Sequence, residues 1–242
     1  AAAAAAADAA RTDEEKAEDA KKSEEARKRR AEQRAADDAA FEAACAAGCR
    51  VVVDCDFEEL MTDREARSAA QQLMYCYGAN RRAAKPARLL LSGLRGRQAA
   101  ALQNVSGVDD WKGCARDARP LEAIFATSEE RASLVYLTAD SDELLEALDP
   151  AASYVVGGFV DRNRHKGATR DKAARLGLRT ARLPISDAGP VVLDKTANSV
   201  LAINHVVALL VGFQSCGDWG LAARCLPGRK RTSAERREGD GD

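Results

Sequence analysis

Long apolar runs are missing from this chain. None approaches the ~18 residues that crossing a bilayer takes, and the alanine-rich start lacks the apolar stretch of a secretory signal, so a soluble intracellular protein is expected. Histidine is scarce: only His165 and His205 occur, with no cysteine or carboxylate at metal-ligand spacing from either, which argues against a metal site. Seven cysteines (Cys45, Cys49, Cys55, Cys76, Cys114, Cys216 and Cys225) form no CxxC pair and read as reduced thiols of a cytosolic or nuclear protein. GxGxxG and GxxxxGK[ST] are both missing, which disfavours dehydrogenases, kinases and GTPases. A Ser-His-Asp hydrolase would need a GxSxG elbow, and none is present.

An excess of either charge is also missing. Lys and Arg number 37 against 38 Asp and Glu, a net charge of -1, which by itself argues against an obligate nucleic-acid binder. The average hides a local asymmetry. Between Asp161 and Arg182 stand eight Lys or Arg and two acids, a patch suited to phosphate.

What is present is enough apolar material, 46% of 242 residues, for one full core and an appendage. Residues 1–47 are Ala, Lys, Arg and Glu with almost nothing large and apolar, so a helix there has no stripe to drive packing. Within them, Lys21 to Arg34 carries seven basic and three acidic residues, and reads equally as an RNA-facing arm or a solvated charged helix. Residues 48–228 are expected to form the main folded domain, and 229–242 a charged flexible tail. Val51 to Val53, ending on Asp54, reads as a strand buried on both faces. Further strands are expected at Arg88 to Leu91, Leu134 to Leu137, Tyr154 to Val156 and Thr180 to Leu183. Helices are expected at Leu60 to Tyr77, Asp142 to Leu148, Thr169 to Leu176 and Ser199 to Phe213. Alternating strands and helices give an α/β fold with a mainly parallel sheet.

In open parallel sheets ligands bind beyond the carboxyl ends of the strands. Small or polar residues follow three such ends: Thr138-Ala139-Asp140, Gly157-Gly158 ahead of Asp161, and Leu183-Pro184-Ile185. Glycines there permit close approach, and free N–H groups can bind a nucleoside without any side chain.

Several blocks resemble a known family. Asp54-Cys55-Asp56-Phe57 with Leu60-Met61, Tyr77 through Asn80-Arg81-Arg82, Tyr136 to Asp142, and above all Tyr154 to Gly167 are similar to successive blocks of the tRNA (guanine-9-N1)-methyltransferases. Ala181 to Ile185, Val200 to Val206, Asp218-Trp219 and Leu226 to Lys230 complete the order, so the resemblance runs from about residue 50 to 231. Ala168 in place of a larger aliphatic, a shortened stretch between Trp111 and Leu134, and a divergent Asp187 to Thr196 depart from the pattern.

The resemblance implies the SPOUT fold, a sheet whose C-terminal segment threads a trefoil knot; knots are otherwise rare. It implies S-adenosylmethionine as cofactor, held by Leu137, Thr138, Gly157, Gly158, Arg162, Asn163, Arg164, His165, Lys166, Thr169, Leu183, Pro184, Ile203, Asn204 and His205. It implies tRNA as substrate, a monomer, and a cytoplasmic or nuclear location. Asp161 matches the signature-loop aspartate and is the candidate general base for the proton on guanine N1. Pairing with Arg162, Arg164 or Lys166 is the structural alternative for it. Arg81, Arg82, Arg170, Lys172, Arg229 and Lys230 are candidate tRNA contacts, with a solvated helix face as the alternative for Arg170, Lys172 and Arg175. Asp140 reads as a helix N-cap ahead of Glu143 or as a catalytic part, and Asp54 as a strand-end cap or pocket brace. His165 and His205 are given positioning only; Trp111 and Trp219 either stack on RNA or pack. Adenine at the same tRNA position, whose N1 has no proton to lose, and a non-catalytic tRNA-binding scaffold are the competing functions.

Overall fold

A computed structural model describes residues 12–161, 164–186, 189–194, 201–228 and 230. Its contacts divide into two compact units, Ala1–Phe41 and Glu42–Asp242. Helix α1 spans Asp13–Ala47, and its charges pair one turn apart, as in Lys22–Glu18 at 2.7 Å, in place of an apolar stripe. The division falls before Glu42, so the last turns of this helix, where Cys45 is buried, belong with the larger unit.

In the larger unit follow β1 (Arg50–Asp54), α2 (Asp63–Arg82), β2 (Arg88–Ser92), α3 (Gly96–Gln103), β3 (Cys114–Arg116), α4 (Leu121–Ile124) and α5 (Ser128–Ala132). They continue with β4 (Leu134–Leu137), β5 (Ser153–Gly157), α6 (Ala168–Arg175), β6 (Arg179–Ala181), α7 (Ile203–Cys216) and α8 (Trp219–Ala222). The strands form one six-stranded sheet, β3-β2-β1-β5-β4-β6, and each pairing is parallel.

Side chains alternate across this sheet, and each face finds its own apolar layer. Val51, Val53, Leu89, Leu91, Tyr154 and Val156 pack with Leu73 of α2 and Val207 and Leu210 of α7. Val52, Tyr136 and Val155 face the other way, onto Leu121, Phe125, Ala173 and Leu178. Thr62 starts α2 with a reciprocal capping box to Glu65, a signal already in the Thr-x-x-Glu spacing.

Two local expectations need correction. Asp142 to Leu148 is not a helix: Arg182 N–H donates to Glu143 O and Leu145 N–H to Arg182 O, extending the sheet edge beyond β6 through a parallel bridge at Leu144. Seven residues make a marginal helix, and pairing with a neighbouring strand outcompetes it. Strand β3 and helix α3 were not foreseen, because β3 is a three-residue edge strand with Ala115 and Arg116 exposed and no apolar alternation.

Candidate functional site

Because every pairing is parallel, the strands end together. Asp54 stands opposite both Ser92 and Gly157, and Leu137 opposite Val156 and Ala181, so the loops after β2, β1, β5, β4 and β6 leave from one edge. The three segments singled out in the sequence thus lie side by side, as an open parallel sheet requires.

At the centre of that edge the Gly157-Gly158 turn is tightly held. Gly158 N–H donates to Asp54 O at 2.7 Å, and its carbonyl accepts from Gln98 Nε2 at 2.7 Å. Both backbone groups of Gly158 therefore already have a partner within the protein, and the carbonyl keeps a second lone pair. The glycine is needed for room: a Cβ would lie 2.7 Å from Asp54 O. At Gly157 a Cβ would lie 2.7 Å from Thr169 Cγ2, so Thr169 packs over the turn. Gln98 is fully buried, and its Oε1 has no partner among the described residues.

Beneath the turn sits a charged cluster. Lys172 Nζ lies 2.8 Å from Asp54 Oδ2 and 3.1 Å from Asp56 Oδ2, and Tyr136 donates its hydroxyl to Asp54 at 2.8 Å. Arg95 pairs with Asp56 from the rim, and the Lys172 ammonium lies 4.5 Å from the centre of the Phe57 ring, itself packed on Phe159. Burial pushes the Asp54 carboxyl up, with Lys172 pulling it back, and pushes the Tyr136 hydroxyl up as well. Lys172, expected on the tRNA backbone, is only 5% exposed and is instead part of this cluster. Asp54 Oδ1 also accepts the Asp56 N–H at 3.2 Å, so its carboxylate both caps the end of β1 and ties it to α6.

The loop from Asp161 to Gly167 is pinned at several points. Asp161 Oδ2 accepts the His165 N–H at 2.8 Å, and Asp161 O accepts Arg164 Nε at 2.9 Å. The Arg164 guanidinium turns to α2, 2.6 Å from Glu65 Oε2 and 3.3 Å from Leu60 O. Arg164, expected at the cofactor, is thus directed elsewhere. His165 is half-buried and Lys166 exposed, while Arg162 and Asn163 lie outside the described residues.

On the neighbouring strand ends, Leu137, Thr138 and Pro184 are buried and Leu183 half-buried, and Thr138 N–H donates to Ala181 O. Asp140 caps no helix; its N–H donates to Thr138 Oγ1. Helix α7 begins after Ala202 without a side-chain cap, and Ile203 N–H donates to Gln72 Oε1 at 3.0 Å. Asn204 is half-buried and His205 buried.

The candidate RNA contacts scatter. Arg170 is exposed beside Asp171 on the site edge. Arg81 and Arg82 close α2 at the opposite edge, where neighbouring Asn80 clasps Ala87 just ahead of β2. Lys230 is buried, which corrects its assignment, and Arg229 lies outside the described residues. Trp111 stacks on Tyr77 at 4.5 Å and Trp219 on Phe213 at 4.2 Å, so both are packed aromatics. Gln98, Gln72 and Arg95 escaped sequence reading because no motif marks them. Glu65 was legible only as a cap.

The family model for tRNA (guanine(9)-N(1))-methyltransferase TRM10/TRM10A matches residues 2–231. Among curated proteins, tRNA methyltransferase 10 homolog A of Rattus norvegicus is 34% identical over 183 residues, covering 75% of this chain and 52% of that protein. The tRNA (guanine(9)-N1)-methyltransferase of Schizosaccharomyces pombe is 34% identical over 184 residues, covering 75% and 59%. The chain therefore spans about half the length of the curated relatives it matches. The crystal structure of full-length spTrm10 in complex with SAH superposes with a TM-score of 0.67 at 32% identity, covering 76% of this chain and 95% of that one. A dual-specific Trm10 from Thermococcus kodakaraensis, at 15% identity and a TM-score of 0.54, shares the fold.

Proposed function

Since the chain belongs to the tRNA (guanine(9)-N(1))-methyltransferase family, we propose that it transfers a methyl group from S-adenosylmethionine to N1 of guanine at position nine of tRNA. The observation that carries this reading is the convergence of the β4, β5 and β6 loops on one edge beside Asp161, within a chain matched along nearly its whole length by that family.

The residues at that edge suit a nucleoside. Half-buried Leu183 beside buried Leu137 and Pro184 makes an apolar wall, α7 starts nearby at Ile203 without a side-chain cap, and Gln98 Oε1 is a buried acceptor without a partner among the described residues. These residues, with Thr138, would hold S-adenosylmethionine. Its sulfonium supplies an activated methyl group. Gly157 and Gly158 shape the floor, and the Asp54–Lys172 pair fixes the strand end below it. As the base for the N1 proton, Asp161 sits on a loop held by His165 and Arg164, so one carboxylate oxygen is oriented by a backbone N–H. Its task is proton removal concerted with methyl transfer.

The C-terminal segment is read as threading a trefoil knot through the site loops, supported by the place of β6 beside β4 and the return of α7 over the opposite half of the sheet. Lys21 to Arg34, exposed along α1, is read as the RNA arm of a chain acting alone, in the cytosol or nucleus where tRNA is found. The test is direct: incubate the chain with unmodified transcripts carrying G or A at position nine and labelled cofactor, then map the product. Label at N1 of G9 alone is expected. Bound cofactor with no transfer would leave a non-catalytic scaffold, and label elsewhere would refute the assignment.

A further inference from the structure

Glu65 and Arg164 touch no reacting group in the scheme above, yet they form a tight tie between the loop and the body of the fold. Arg164 bridges two partners at once. Its Nε donates to the backbone carbonyl of Asp161 at 2.9 Å, while an Nη donates to Glu65 Oε2 at 2.6 Å and reaches Leu60 O at 3.3 Å. Glu65 is itself immobilised: it is 8% exposed, and the same Oε2 accepts from Thr62 N at 2.9 Å and Thr62 Oγ1 at 3.0 Å. The helix turn behind it is packed through Ala66, Ala69 and Ala70. The peptide that carries Asp161 is therefore clamped to the first turn of α2, across 99 residues of sequence.

We infer that Glu65 and Arg164 are a coupled pair of positioning residues for Asp161, setting where its carboxylate points during methyl transfer. The inference rests on the reading of Asp161 as the base. Geometry supplies the reason: with the Asp161 carbonyl and one carboxylate oxygen both fixed, the remaining oxygen has little freedom left. A guanidinium holds a carbonyl and a carboxylate from separate nitrogens of one rigid plane, which fixes their relative direction; an ammonium is a point donor on a flexible stem and does not. The Arg164 side chain is half-exposed at 49%, so an ordinary surface ion pair would contribute almost nothing to stability, and the function of this one is orientation.

Single-turnover methylation of an unmodified G9 transcript at saturating cofactor tests this in Glu65→Gln, Arg164→Ala, Arg164→Lys and the Glu65→Gln/Arg164→Ala double variant. Glu65→Gln keeps one oxygen to accept from Thr62, so the cap is largely retained, but it removes the carboxylate charge that draws the Arg164 guanidinium, and melting temperatures confirm folding. Each single variant should slow transfer on the order of tenfold to a hundredfold, the cost of a misplaced reacting group, with cofactor affinity by calorimetry unchanged. Arg164→Lys should not restore the rate. The double variant should be no slower than the slower single one, because each residue acts through the other. Wild-type rates in the single variants, multiplicative losses in the double variant, or losses explained by weaker cofactor binding would each overturn the inference. A wild-type chain that transfers no methyl overturns the methyltransferase reading along with it, whereas active wild type with unimpaired variants overturns the pair alone.

Discussion

Lys172 Nζ stands 2.8 Å from Asp54 Oδ2, with the lysine side chain 5% and the aspartate 0% exposed. Removing one member of such a pair leaves an uncompensated buried charge, which costs about 3–5 kcal/mol. Lys172→Met should therefore lower the melting temperature well beyond what any surface lysine substitution does.

The deficit of that variant should depend on pH. Burial raises the Asp54 carboxyl and Lys172 pulls it down, so without the ammonium it rises further. Between the unfolded value of about 3.9 and the raised one, the folded chain holds a proton that the unfolded chain has released, and stability falls as pH rises through that window. Thermal melts across acid and neutral pH should show the gap to wild type narrowing on acidification. A constant gap would mean that Asp54 does not take up the proton.

Gly157→Ala should destabilise, because its methyl group would sit 2.7 Å from Thr169 Cγ2; overpacking of this kind costs about 1–3 kcal/mol. Adding Thr169→Ser removes that methyl group and should recover much of the loss. Gly158→Ala has no such remedy, since its obstacle is the Asp54 carbonyl. Melting temperatures of the three variants decide the point.

Asp161→Asn preserves an oxygen to accept the His165 N–H, so the loop should keep its shape while losing the base. Transfer to guanine in a single turnover should slow on the order of a hundredfold with cofactor affinity retained. An unchanged rate would remove Asp161 from proton transfer.

Arg170→Gln should weaken tRNA binding and lower the slope of log affinity against log salt by roughly 0.7–0.9, one phosphate contact. Lys172→Met should leave that slope unchanged, because its ammonium faces carboxylates inside the fold. Titrations at several salt concentrations separate the two.

Much of the sheet was legible because Val51 to Val53, Leu134 to Leu137 and Tyr154 to Val156 are continuous apolar runs, the mark of strands covered on both faces. The alignment of the strand ends followed from parallel pairing, and with it the side-by-side placement of the three loop segments. Direction of side chains was not legible. Arg164 read as a cofactor contact and Lys172 and Lys230 as tRNA contacts, and only the fold reveals that the first clamps a loop and the other two are buried. Gly158 was marked as special, but no sequence pattern says that its N–H is given to Asp54 and that its carbonyl accepts from Gln98. The segment from Asp142 to Leu148 misled because its partner, Arg182, lies far along the chain.

Helix α7 is stapled to the opposite edge of the sheet by Gln214: its Oε1 accepts the Cys49 N–H at 2.6 Å, and its Nε2 donates to Lys85 O and Pro86 O at 2.7 and 2.9 Å, with Ser215 Oγ accepting the Lys85 N–H alongside. During synthesis the three groups held by Gln214 near the start of β1 and β2 stay wet until residue 214 emerges. That end of the sheet thus gains its last hydrogen bonds only when α7 docks, which ties the local opening of the helix to exposure of the starts of β1 and β2 to amide exchange.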